Sequence, residues 1–402
     1  MGEQTVDHRS GPDRVDQGAT DEISIGQEAE SERSSIGVTG RQLVGPALIV
    51  VGVAASTVAA VLALGALGTA PGISGTFDYT VTATTGDSTD SRATILDPCS
   101  LDRPVAATIA TEVTERQRIS SVAPTDEKHV TFQAGRVVIT GAAAQGITAS
   151  TSDCRSGLLA ASVDQVTVDR KSALPQQDLV SREQLLPSSQ GNSARMSPIA
   201  DRAGVQYQLP PGTSSSGTYP VFEAATRTTN PARFTGNATI DGLEVLVFES
   251  SVSRPAAEPA ELAGVDHPAR GSITRPSSWF PGLPRPADGP DDITAHVYVQ
   301  DTQRIFVEPR SGVIVNVVDR IDQTLRVADP RLPSETRDDY AFPYFRGELS
   351  YTGETQRSRI EAAREYIADD RLMRVITPII AAGGGIVVLG IGVWLTRRRV
   401  TP

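Results

Sequence analysis

The sequence predicts a mainly β domain, made of antiparallel meanders or one curved sheet, held between two transmembrane α-helices. Three observations carry this. Two long uncharged blocks lie near the ends of the 402-residue chain. The stretch between them falls into short runs rich in β-branched residues, and Asp241-Gly242 and Ser311-Gly312 stand where tight turns between such runs belong.

The first block has no charged side chain from Gln42 to Phe77, and residues 43–67 are 25 residues of little but Leu, Val, Ile, Ala and Gly. At about 1.5 Å per residue they exceed the roughly 30 Å hydrocarbon core of a bilayer. Pro46 falls in the first turn, where its missing N–H breaks no helical bond. The hydrophilic preface and the apolar run are both too long for a cleaved signal peptide, and Pro71 follows the best cleavage site, so the block reads as an uncleaved anchor. The second block, residues 375–396, ends near Trp394 with Arg397, Arg398 and Arg399 directly after, the pattern of a span meeting the headgroups.

Arg33 and Arg41 precede the first span and the next basic residue after it is Arg92, so the N-terminus stays inside. A second crossing returns the C-terminus to the cytoplasm, with Arg397, Arg398 and Arg399 as its basic flank. Gly52, Ser56 and Ala60 lie on one helical face, and Ala381 and Gly385 form a similar pair; this spacing permits close helix packing, though Ala and Gly are common in any GC-rich span.

Residues 1–42 hold nine acidic and four basic residues and read as a disordered cytoplasmic tail. Residues 71–354 form the extracytoplasmic β domain. Strands are expected at 77–83, 105–113, 130–140 and 159–168, then a hairpin of 234–240 and 243–248 about Asp241-Gly242. A second hairpin is read at 296–300 and 304–308, and a strand at 313–326 returns through Ser311-Gly312. Residues 187–217 and 251–291, the latter with eight prolines, read as loops or linkers. Residues 355–374 place Ile360, Ala363 and Ile367 on one face of a juxtamembrane helix, with a bend expected at Pro378. Residues 397–402 are a basic cytoplasmic tail.

A net charge of −11 leaves no surface for neutralising phosphates, so nucleic acid is excluded as a partner. The two cysteines, Cys99 and Cys154, both fall in the extracytoplasmic part. A disulfide there would close a loop of about 55 residues and constrain the unfolded chain by about 4 kcal/mol; two separate thiols are the alternative. His8, His129, His267 and His296 are scattered singly, and no nucleophile elbow, phosphate loop, dinucleotide fingerprint or metal-ligand spacing occurs. No catalytic residue, cofactor or metal is implied.

Five ordered segments carry a resemblance: residues 93–97 (ATILD), 204–210 (GVQYQLP), 239–243 (TIDGL), 306–315 (FVEPRSGVIV) and 349–355 (LSYTGET). Set between two terminal spans, they resemble the actinobacterial porin-A-like membrane protein family. Relatives often have an aromatic, Lys-rich stretch where this chain has residues 211–217 (PGTSSSG). The resemblance implies a cell-envelope location and a porin role without catalytic residues. The leading expectation is a non-enzymatic envelope protein whose β domain binds or organises a lipid or a protein partner beside the bilayer. The alternative is a porin-like, pore-forming homo-oligomer, because two apolar helices cannot line a polar pore alone.

Overall fold

The computed structural model describes residues 44–68, 72–86, 91–141, 154, 156–186, 196–259, 262 and 267–398. The acidic tail, Arg41 and Arg399 lie outside them.

Helix α1 (Val44–Gly68) starts the described chain. After a short helix α2 (Ser334–Asp339), helix α3 (Gly353–Arg371) and helix α4 (Thr377–Arg397) close it, joined without interruption by a π-turn at Leu372–Ile376. Gly353–Arg397 is long and apolar enough to cross a membrane. In α1 the apolar stretch with described side chains, Pro46–Val61, is shorter than one crossing. The irregular turn precedes Pro378, whose missing N–H and bulky ring disfavour a regular bond to Arg374, and Thr377 Oγ1 bonds the Leu372 carbonyl instead, at 2.9 Å.

Helices α1 and α4 pack side by side. A Cβ on Gly52 would sit 2.6 Å from the Leu389 nitrogen and 2.8 Å from the Gly385 oxygen, so only glycine allows this approach. Ser56 continues the contact opposite Gly385. Ala60 does not: it is exposed, and Ala59 is buried in its place. At about 100° per residue, position 59 stays within about 20° of Gly52 while position 60 has turned some 80° away.

Between the helices, the described residues form one antiparallel sheet of fifteen strands. Its main path begins at β8 (Ser197–Pro198), β7 (Ser181–Leu186), β6 (Leu158–Asp169), β5 (His129–Thr140), β4 (Val113–Val122) and β1 (Asp78–Thr84). It continues through β15 (Phe342–Tyr351), β14 (Ile314–Val327), β13 (Asp292–Val307), β11 (Leu243–Pro255), β10 (Thr228–Ile240) and β9 (Thr218–Glu223). At one end the sheet forks: β2 (Ala93–Leu96) joins β15 and β3 (Thr108–Thr111), while β12 (Ser272–Pro276) joins β13.

The turns obey local chemistry. Asp241 and Gly242 both take positive φ (47° and 77°), as a primed hairpin turn requires. At Ser311-Gly312 the buried Glu308 carboxylate accepts the Ser311 amide at 2.7 Å and the Arg310 amide at 3.1 Å.

Two expectations are corrected. Residues 296–307 are not a hairpin but one continuous run to the end of β13, which pairs with β11 on one side and β14 on the other and so has no cause to turn. The stretches read as loops are partly core. Trp279 and Phe280 are fully buried, Trp279 Nε1 donates to the Ser100 carbonyl at 3.0 Å, and Leu209 is equally buried. Proline excluded strand ladders there without excluding packing.

Candidate functional site

The sheet curls until its two ends meet. Arg202, just after β8, makes a two-toothed ion pair with Asp164 of β6, both contacts 2.7 Å, and its guanidinium carbon lies 4.5 Å from the Phe222 ring centre on β9. Arg227 of the β9–β10 turn reaches Glu183 of β7 at 3.3 Å. Val205 forms a parallel bridge to Val221, the Val205 amide donating to Pro220 at 2.7 Å and the Phe222 amide to Val205 at 2.9 Å. Side chains and one bridge thus close a cylinder that the strands leave open.

The cylinder encloses a cavity of about 430 Å³. Because side chains alternate across a strand, each strand sends every second residue inward. On β13 that series is Val299, Asp301, Gln303 and Ile305; on β14 it is Val317, Asp319, Ile321 and Gln323. On β4 and β5 it brings in Glu115, Gln117 and Arg136. Register lines these up, since Gln303 faces Asp319 and Gln117 faces Arg136. The result is a polar belt inside an otherwise apolar wall.

The belt is acidic. Arg136 pairs with Glu115 at 2.6 Å. Glu223, Asp301 and Asp319 share the same interior. Asp301 accepts the Asp322 amide and the Gln323 side chain, both at 3.1 Å, and Glu223 accepts the Ala225 amide at 3.1 Å. Among the described residues none donates a hydrogen bond to Asp319. Burial, then the neighbouring charges of Glu223 and others, pushes Asp301 up to about 7 and Asp319 well above the carboxylate range. Burial likewise raises Glu223. Burial works against the Arg136 charge, but Glu115, Glu223 and Asp319 outweigh it and raise its pKa.

The β domain grips α3. The Thr82 amide donates to Thr355 Oγ1 at 2.9 Å, and Arg359, 5% exposed, donates to the Ile314 carbonyl and lies 3.8 Å from the Tyr79 ring centre. Arg364 bonds the Asp241 carbonyl of the hairpin tip at 2.8 Å. Arg359 and Tyr79 also line the cavity, so the cavity wall and the helix that runs into α4 share side chains.

Across residues 44–394, helices and β domain alike, the sequence matches the family model described as Porin PorA. The chain belongs to the Porin PorA family. A protein called Porin PorA from Corynebacterium amycolatum is 27% identical over 216 residues, 51% of this chain and 52% of that protein. Another of that name, from Corynebacterium resistens, is 25% identical over 320 residues, 69% of this chain and 74% of that one. The chain therefore spans about half the length of the first relative.

The residues singled out from sequence do not converge on the cavity. Cys99 and Cys154 form a disulfide at its forked end, with Cα atoms 4.9 Å apart. Gly52 and Ser56 are in the helix pair; Arg397 and Arg398 end α4, where Arg398 stacks 3.9 Å from the Trp394 ring centre. The belt went unseen, though its signal was present: Asp301 and Gln303 interrupt the apolar series from Ile293 to Val307 at its own parity.

Proposed function

We propose that this chain is a non-enzymatic subunit of a porin-like assembly in the cell envelope, crossing the bilayer through α1 and α4 and conducting solutes as an oligomer. The observation that carries the reading is the family match, which runs from the first residue of α1 through most of α4. It favours pore formation over a β domain that only binds or organises a lipid or protein partner.

Residue chemistry supports the membrane arrangement. Val50, Val51, Val53, Val58 and Val61 of α1 and Ile379, Ile380, Ile386, Val387 and Ile391 of α4 point away from the helix pair. Such a surface belongs against lipid or another apolar helix. Neither Val44–Gly68 nor residues 375–396 contains an ionisable side chain, so one copy lines no polar path and conduction requires several.

Purified full-length protein in planar bilayers should give discrete conductance steps. Their frequency should rise more steeply than linearly with protein, and Gly52→Leu should abolish them. Silent bilayers across a hundredfold range of protein, with correct insertion verified, would refute the reading.

A further inference from the structure

We propose that the β-domain cavity is a binding site for a single-chain amphiphile with a cationic amine head. It is separate from any conduction path between helices.

A cavity of about 430 Å³ lies within the size range of small-ligand sites, ~300–1,000 Å³. Its wall has two characters. Most inward positions are apolar, Val299, Ile321 and Leu349 among them, and these suit a hydrocarbon chain. The belt places Glu115, Glu223, Asp301 and Asp319 around the Arg136 guanidinium. Asp164, Glu183, Arg227 and Arg359 also line the cavity, so carboxyls outnumber guanidiniums six to three and the interior is short of positive charge.

Asp319 is the sharpest indication. It faces the cavity, accepts no hydrogen bond from the described residues, and feels Glu223, Asp301 and Glu115 more than it feels Arg136. Its carboxyl is half-buried and opens onto the cavity, where a donor that enters can reach it. An ammonium head supplies both charge and N–H groups. A carboxylate or phosphate head would add negative charge to an interior where carboxyls already outnumber guanidiniums, and an uncharged alcohol would leave that imbalance unchanged. At the forked end the wall is made of loops with small side chains, Ala224, Ala225, Ala256 and Ala257, rather than paired strands.

The test uses the full-length protein in phosphatidylcholine nanodiscs, titrated calorimetrically with octylamine, octanol and octanoate, with empty nanodiscs subtracted. Octylamine should bind near one per chain and at least tenfold tighter than either matched probe at pH 8. Its affinity should fall tenfold or more at pH 5.5, where Asp301 takes up a proton. In Asp301→Asn/Asp319→Asn, octylamine binding should weaken at least tenfold while octanol binding is unchanged and the thermal melt stays cooperative. Octanoate or octanol matching octylamine, no saturable binding by any probe, or unchanged octylamine affinity in the folded double variant would each overturn the proposal.

Discussion

Asp301 shows what one carboxyl inside the cylinder does to the whole protein. Its folded pKa of about 7 lies above the unfolded value, so between pH ~4 and ~7 the folded state holds a proton that the unfolded state has lost. The resulting stability is fully present below pH ~4 and disappears as pH rises through 7; it is worth up to about 4 kcal/mol at low pH. Asp319, Glu223 and Glu183, all raised, act in the same direction. The expected outcome for Asp301→Asn is a higher melting temperature at pH 8 and a flatter stability profile from pH 4 to 7, read by thermal melts across that range. A second residue-scale case is Gly312. Its φ is +72°, and a Cβ would run into the Leu209 carbonyl, so two separate penalties add. Gly312→Ala should cost at least ~2 kcal/mol in denaturant unfolding, whereas Gly242→Ala, with open space around it, should cost only its φ strain of about 1 kcal/mol.

Among the elements, the seam carries the most specific consequence. Ordinary cylinders close by strand pairing, but here β6 and β9 are bridged through Arg202, whose side chain is 1% exposed. Asp164 also accepts a hydrogen bond from Tyr207, so a single carboxylate holds two of the residues after β8. Asp164→Ala would strand a buried guanidinium and should destabilise by ~3–5 kcal/mol. The double change Asp164→Leu/Arg202→Met removes both charges and should recover most of that loss. Chemical denaturation of the three proteins measures the difference; equal losses in single and double variants would mean that the pair is not coupled. The pair α1 and α4 is the other sensitive contact. Gly52→Leu should separate the helices, and in detergent the two halves of a protein nicked between them should then no longer copurify, while the β domain keeps its melt.

For the whole molecule, the testable property is topology. Reporters placed before Met1 and after Pro402 should be active only in the cytoplasm, and one inserted near Pro284 only outside it. An externally active C-terminal fusion would remove the second crossing. Thr355, Arg359 and Arg364 bind α3, which runs into α4, to three parts of the β domain. The cavity wall at Tyr79 and Arg359 is thus in direct contact with the helix that continues into α4. Reduction of Cys99–Cys154 frees the loop it closes and should lower the melting temperature without changing topology.

The sequence by itself determined the parts whose physics is local. Residues 375–396 read as apolar helix because nothing in them prefers water, and Asp241-Gly242 read as a turn because few other pairs accept positive φ at both positions. The strands β5, β6, β11 and β14 were legible within one or two residues at most ends through their alternation. What only the tertiary structure decided is which strands lie side by side, and hence that Asp301, Asp319, Glu115 and Arg136, separated by up to about 200 positions, share one interior. It also decided that a proline-rich stretch would bury Trp279, and that Ala59 rather than Ala60 would meet α4. Local pattern says which way a side chain points relative to its own strand or helix. Closure of the sheet, a long-range event governed by contacts such as Arg227 with Glu183 and Arg202 with Phe222, decides what it points at.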